Sequence, residues 1–243
     1  MVATENSVMA HAVMGYPNLE ESFGIVEMYI EKGVEYLELQ IPFSHPTADG
    51  STLCDANLKA LEAGADMAYC FEFLEQVRNK YPQQKIMLMS YFNRIYSYGI
   101  NAFIERMQSI VIQHFILPDL PFDAPQAKPF LMAENIQLVP VIAPNLSDVR
   151  LAEIVALQPD YVYLMSNFQV TGGQFNIHEN AKKIIEILHD KTAAKMGVGF
   201  GISTKKDVAA CLQYADFAIV GSALKLAIDA GEIEEKVVKL VGV

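Results

Sequence analysis

Short apolar blocks alternate with longer amphipathic stretches along the whole chain. Val8–Met14 is an apolar block stopped by Gly15-Tyr16-Pro17, and a block of that length bounded by turn residues reads as a buried strand. Leu19, Phe23, Val26 and Ile30 then fall at helical spacing. Asn18 precedes them, with Glu21 three residues on as in a capping box, and Gly33 ends the run. From Tyr36 to Ile41 the period becomes two: Leu37, Leu39 and Ile41 on one face, Tyr36, Glu38 and Gln40 on the other. The same reading predicts helices near Asp55–Ala63 and Met67–Lys80, a strand at Ile86–Ser90 and a helix near Asn101–Gln108. It continues with a strand at Val111–Leu117, a helix over Asp123–Glu134, a strand at Gln137–Ile142, a helix at Ser147–Leu157 and a strand at Tyr161–Met165. A polar loop, Ser166–Phe175, follows. Asn176, with Glu179 three residues later, is expected to cap a helix whose apolar face is Ile177, Ala181, Ile184 and Leu188. A strand at Met196–Phe200, a helix at Thr204–Tyr214, a strand at Phe217–Val220, a short helix opening at Ser222 and a helix at Glu232–Leu240 complete the chain.

Eight strands alternating with helices, without a linker, fit a (β/α)8 TIM barrel formed by residues 1–243 as one domain. An open doubly wound sheet is the other architecture with this alternation, and both need right-handed crossovers. The barrel places chemistry at the C-terminal ends of its strands. Asp49, Tyr91, Asp119, Asn145, the 166–173 loop, Gly201 and Gly221 all directly follow predicted strands.

Composition narrows the functions. A net charge of -11 argues against a nucleic-acid or anionic-membrane surface, but not against a small phosphate held by backbone N–H groups. No apolar run approaches the ~18 residues of a membrane span. No basic region followed by an apolar block marks a secretory signal. Cys54, Cys70 and Cys211 are far apart and odd in number, which suits reduced thiols in the cytoplasm.

The stretch from Leu37 to Gly50 carries two carboxylates, Glu38 within a strand and Asp49 at the end of a loop marked by Pro42, Pro46 and Gly50. Glu38 is either an edge-strand residue facing water or a carboxyl held dry, with a raised pKa, for proton transfer. A second constellation reads as a phosphate site. Gly199-Phe200-Gly201-Ile202-Ser203 follows the seventh strand and Val220-Gly221-Ser222-Ala223 the eighth. These loops bind phosphate in many barrels, because glycines admit backbone N–H groups to the anion and a helix N-terminus adds its dipole. Val170-Thr171-Gly172-Gly173 is either a surface loop or a lid lending Gly172 to the same anion. The five histidines, His11, His45, His114, His178 and His189, have no metal-ligand spacing, so no metal is expected. His114 reads as packed or at the surface. Lys85, Lys128 and Lys195 are Schiff-base candidates only in principle, and Lys85 and Lys195 start strands, at the wrong end of a barrel. No Gly-x-Ser-x-Gly elbow and no dinucleotide fingerprint occurs.

The segment Glu38-Leu39, Ile41-Pro42-Phe43-Ser44, Pro46 and Ala48-Asp49-Gly50 resembles the signature of the tryptophan synthase alpha chain family. Asn57-Leu58 with Ala60-Leu61, Tyr91 with Asn93, Asp119-Leu120-Pro121, Ala143-Pro144, Tyr163-Leu164-Met165-Ser166, Val170-Thr171-Gly172 and the two glycine turns follow in family order. The resemblance implies a cofactor-free lyase that cleaves indole-3-glycerol phosphate to indole and glyceraldehyde 3-phosphate. It also implies a beta-chain partner, in an alpha-beta-beta-alpha heterotetramer, that receives the indole. It makes Glu38 the general acid/base and Asp49 the partner of the indole N–H. It assigns Gly172, Gly201, Gly221 and Ser222 to the phosphate and Tyr91, Tyr163 and Thr171 to the substrate. The sequence departs from the family at Gln40, where the family has glycine, and at His45, where aspartate is usual. It departs again at Asn167-Phe168-Gln169, where an arginine and a glycine are missing, and little of the family's leading helix precedes Val8. His45 and the Asn167–Gln169 loop correspond to lid and interface positions, and the altered loop motivates a second reading, a weakly active or inactive subunit that mainly binds and activates a beta chain. A third reading is an isomerase or aldolase on another phosphorylated sugar. Apolar residues facing inward near Glu38 favour indole; several hydroxyl partners favour a sugar.

Overall fold

Parallel pairing runs around the molecule in chain order. The computed structural model describes residues 7–166 and 176–242. Its strands are β1 (Val8–Val13), β2 (Tyr36–Gln40), β3 (Lys85–Met89), β4 (His114–Ile116), β5 (Gln137–Leu138), β6 (Val141–Ile142), β7 (Tyr161–Met165), β8 (Lys195–Gly199) and β9 (Phe217–Val220). Every registered pair is parallel, and β1 lies between β2 and β9. β5 pairs with β4 and β6 with β7. Val139 and Pro140 join those two short strands, Val139 N donating to Phe115 O at 2.8 Å and Pro140 O accepting from Tyr163 N at 2.9 Å. The expected fifth strand is therefore one barrel stave broken where Pro140 has no N–H to give the ladder. With it the ring has eight positions, a (β/α)8 barrel. Strand order runs on without the reversal that a doubly wound sheet requires.

The helices are α1 (Leu19–Glu31), α2 (Ser51–Glu62), α3 (Met67–Lys80), α4 (Phe92–Tyr98), α5 (Ile100–Ser109), α6 (Lys128–Met132), α7 (Asp148–Leu157), α8 (Glu179–Lys191), α9 (Lys205–Cys211), α10 (Ser222–Asp229) and α11 (Ile233–Val241). Three differ from the expected pattern. The helix over Asp123–Glu134 shrinks to a 3-10 turn at Pro125–Ala127 and the five residues of α6, since Pro125 and Pro129 both withhold an N–H. His178, not Asn176, caps α8, its Nδ1 accepting from Asn180 N at 3.2 Å. α4 was not expected. Both Asp119 carboxylate oxygens, from the next loop, accept its first N–H, at Phe92. That cap comes from a residue 27 positions away.

The two faces of β2 enter different cores. Leu37, Leu39 and Ile41 pack outward with the helices. Tyr36 faces inward with Met9, Met87, Phe217 and Ile219. At the N-terminal end the barrel is plugged by rings: Tyr36 stacks on Phe217 at 4.4 Å and meets Tyr161 edge-on at 5.9 Å. Gly197 makes room for that plug, because a Cβ there would come within 2.2 Å of the Phe217 ring. The filled bottom leaves the other end, where the strands finish, for a cavity.

Candidate active site

A cavity of about 260 Å³ lies at the C-terminal ends of the strands. Glu38 and Asp49 line one side; Gly201, Gly221 and Ser222 line another. Leu53, Met89, Ile116, Val141, Phe200 and Ile219 form apolar walls between them. Barrel geometry produces this meeting: residues far apart in sequence leave adjacent staves at one rim.

Glu38 points inward from the middle of β2 and is 4% exposed. It is not an edge-strand residue facing water. The register of β1 on β2 sets His11 opposite it, and His11 Nδ1 lies 3.2 Å from Glu38 Oε2. His11 is 6% exposed. Burial pulls its pKa down, but the Glu38 charge and hydrogen bond, helped by Asp49 and Gln40, leave it above its ordinary value. An ion buried this deeply costs several kcal/mol unless a partner compensates, and each of these two supplies the other. His11 Nε2 has no hydrogen-bond partner. Sequence reasoning passed over this histidine, asking only about metal spacing. The available signal was period two in β1, which turns His11 inward together with Met9.

Asp49 ends the loop after β2, one residue before Gly50, which stands at the N-cap of α2. Gln40 Nε2 donates to its Oδ2 at 2.8 Å, and Asn57 Nδ2 reaches the same oxygen at 3.5 Å. Burial raises the Asp49 pKa, against the opposing pull of His11, Gln40 and Tyr91. The Gln40 that replaces the family's glycine thus has a structural task, fixing the second carboxylate. Asn57 Oδ1 meanwhile accepts from Phe43 N at 2.9 Å, which pins the start of the same loop. Tyr91 lies behind that loop, not on the cavity wall. It is buried, stacks on Phe43 at 5.3 Å, and its hydroxyl accepts from Ala48 N at 3.0 Å. Tyr163 does line the cavity. Burial, then the charges of Glu38 and Asp49, push its hydroxyl well above the ordinary value. His45 is exposed, with Ser44 Oγ 2.8 Å from its Nδ1. His114 is half-buried and paired with Asp160 at 3.1 Å.

The glycine side of the cavity is built of backbone. Phe200 and Gly201 both adopt positive φ, 74° and 83°, turning the chain sharply after β8. Gly221 stands at the N-cap of α10, which has no side-chain cap, so its first N–H groups are open to a ligand. Ser222 Oγ is buried and lacks a hydrogen-bond partner. Ser203, by contrast, is committed: its N and Oγ both donate to Asp207 Oδ2, at 3.0 and 3.1 Å. A buried hydroxyl beside an uncapped helix start suits an anion. Thr171 and Gly172, expected to contact substrate and phosphate, lie outside the described residues, as do Asn167 to Gln169. Among the described residues no group of three or more His, Cys, Asp or Glu is arranged to hold a metal, and no helix is long and apolar enough to cross a membrane.

The family model of the tryptophan synthase alpha chain matches residues 2–242. The alpha chain of Desulforapulum autotrophicum is 37% identical over 216 residues, 88% of this chain and 85% of that one. The alpha chain of Syntrophotalea carbinolica is 35% identical over 229 residues, 93% and 89% of the two chains. Among solved structures, the tryptophan synthase A-subunit of Pyrococcus furiosus superposes with a TM-score of 0.86 at 28% identity over 100% of both chains. A Mycobacterium tuberculosis tryptophan synthase gives 0.87 at 26% identity, covering 98% of this chain and 92% of that one.

Proposed function

The chain belongs to the tryptophan synthase alpha chain family, lyases of tryptophan biosynthesis, and from that premise we propose that it cleaves indole-3-glycerol phosphate to indole and glyceraldehyde 3-phosphate. The observation that carries this reading is a single cavity with two carboxylates on one side, an anion cradle on another and apolar walls between. The apolar walls favour an indole over a second sugar. The phosphate docks on the backbone of Gly201 and Gly221 with Ser222 Oγ as a further donor, and Gly172 is proposed for the same anion. That anchorage orients the glycerol carbon toward Glu38.

Glu38 delivers its proton to indole C3. Positive charge then develops at the indole nitrogen, whose N–H faces the Asp49 carboxylate, held by Gln40 and Asn57. As the bond from C3 to the glycerol carbon breaks, its electron pair returns to the indole ring. The carbon's hydroxyl becomes a carbonyl and gives its proton back to Glu38. No proton is gained or lost overall. Tyr163 and Thr171 are proposed to contact the substrate. Tyr91 contributes by holding the Ala48 N–H and the loop that carries Asp49.

The family works with a beta chain, and we propose an alpha-beta-beta-alpha heterotetramer in the cytoplasm, with residues 1–243 acting as one barrel domain. The loop bearing the exposed His45 is the proposed contact with the partner. The test is direct: incubate the pure chain with indole-3-glycerol phosphate, with and without a beta chain, and assay indole. Glu38→Gln and Asp49→Asn should each raise the barrier by about 3–5 kcal/mol, Glu38 more. A folded barrel that releases no indole under either condition overturns the proposal.

A further inference from the structure

The lyase reading gives Glu38 two opposite tasks, donating a proton and then recovering one, and says nothing of what the carboxyl rests on between them. In this chain it rests on His11. Nδ1 of His11 and Oε2 of Glu38 are 3.2 Å apart, inside a barrel whose interior is otherwise largely apolar. We propose that His11 is the positioning and proton-sharing partner of Glu38: it aims the carboxyl at the cavity and holds jointly with it the one proton that the reaction moves. This inference rests on the lyase reading above.

The geometry supports a shared proton over mere filling. A ring that only filled this space would need no nitrogen, and a buried one without a partner costs free energy. Here Nε2 is buried without a partner, while Nδ1 is committed to one carboxylate. Among the described residues the groups that act on the ring are few. From β2 come Glu38 and the neutral amide of Gln40, and from the following loop Asp49. Tyr163 lines the same cavity from β7. Beside His11, Gly221 and Leu53 bring no charge.

The proton balance closes. With the shared proton on Glu38, His11 is a neutral imidazole, and Glu38 can protonate C3. The carboxylate so formed accepts the hydroxyl proton when the carbon–carbon bond breaks, and the pair returns to its starting state. Between turnovers the proton can sit on Nδ1 as an imidazolium donating to the carboxylate. In that state the Glu38 charge holds the imidazole above its ordinary value, so the proton the reaction moves stays at the site. Nothing in the family resemblance assigned a function to this position.

Two measurements on the full chain separate this inference from its premise. In the first, nitrogen-15-labelled histidine is titrated by NMR in the wild type and in Glu38→Gln. The His11 ring should titrate above 6.5, the ordinary value, in the wild type and distinctly lower in the variant, where only Asp49 and Gln40 still oppose burial. An unchanged midpoint overturns the pairing, whether or not the chain is active. In the second, kcat and KM for indole release are followed against pH for the wild type, His11→Phe and His11→Gln. Both variants should keep KM within about threefold and lose the basic limb of kcat by about one pH unit or more, a tenfold fall at a fixed pH on that limb. A basic limb that stays in place in folded variants reduces His11 to packing. Should His11→Phe not fold, His11→Gln decides, since it keeps an N–H for the carboxylate but cannot titrate. A wild type that releases no indole defeats the lyase reading, and the NMR titration still decides whether the pair shares its proton.

Discussion

Replacing Gly199 with alanine puts a methyl group where the Tyr163 ring already lies. The added Cβ would stand 2.7 Å from Tyr163 Oη, 3.1 Å from Cζ and 3.2 Å from Cε1. Favourable carbon contacts begin at about 3.5 Å, so the ring must withdraw by about 0.5 Å. Gly199 is not among the positive-φ glycines, so alanine brings no backbone strain and the whole effect is this contact. The backbone behind Gly199 is held by the ladder that pairs it with Met165. A ring displaced from Gly199 reshapes the cavity wall that Tyr163 forms. Overpacking of this size costs about 1–3 kcal/mol. Urea unfolding of wild type, Gly199→Ala, Tyr163→Phe and the double variant measures it as a cycle. Deleting the hydroxyl removes the shortest of the three contacts, so the alanine should cost about 1 kcal/mol less in the phenylalanine background. KM should rise in Gly199→Ala and recover partly in the double variant. Additive stabilities, within about 0.3–0.5 kcal/mol, together with an unchanged KM, would refute the claim that this glycine exists to seat Tyr163.

Ser222→Ala should raise KM about 10–100-fold, the worth of one hydrogen bond to a charged group, with kcat retained. Because its buried Oγ has no partner in the chain, unfolding should show no loss of stability; a stability loss without a KM effect would mean the hydroxyl is structural. Asp49→Asn should slow indole release by the barrier given above yet stabilise the chain at neutral pH. The folded Asp49 pKa lies above 3.8, so ionising it as pH rises through that interval costs stability, and asparagine avoids the cost. The partnerless Gln40 Oε1 can accept from the new amide once Gln40 flips, and a lower midpoint in urea at pH 7 would contradict this. Lys225, buried in α10, donates to Asp55 at 2.5 Å and to Asp229 at 2.7 Å, so Lys225→Met should cost about 1–3 kcal/mol. Both carboxylates are held below their ordinary value of 3.8, so their contribution is complete above that pH and disappears as pH falls through the folded values; the variant's deficit in urea should shrink there, and a deficit independent of pH would rule out the ion pairs.

The barrel was readable because most of its evidence is local. Asn18, Ser147 and Thr204 cap the helices that follow them with their own side chains, and β9 falls where four apolar residues stand between turn signals. Misreadings came where the decisive group is distant or absent. α4 borrows its cap from Asp119, which no window around Phe92 contains. The helix expected at Asp123–Glu134 had the right apolar periodicity but two prolines that deny it hydrogen bonds. At α8 the apolar face Ala181, Ile184 and Leu188 follows its spacing, and only the capping residue differs, because His178 reaches the first turn with a ring nitrogen.

The candidate site divides along the same line. Glu38 and Asp49 share one segment, and a charged residue inside an alternating strand is conspicuous by itself. His11 was not, because a single histidine in an apolar strand has meaning only once its neighbour is known. That neighbour is set by register: parallel pairing of β1 on β2 places His11 against Glu38, where a shift of one residue would turn the imidazole toward the helices. Register in turn depends on burial of Leu37 and Leu39 on the outer face. The outer apolar residues of β2 therefore determine which base meets its carboxylate, though none of them touches the cavity. A chemical pair assembled in this way is invisible to motif and spacing, yet follows from strand period and pairing order together. The place to look for such pairs in a barrel is the inward set of each two consecutive staves, taken level by level toward the open rim.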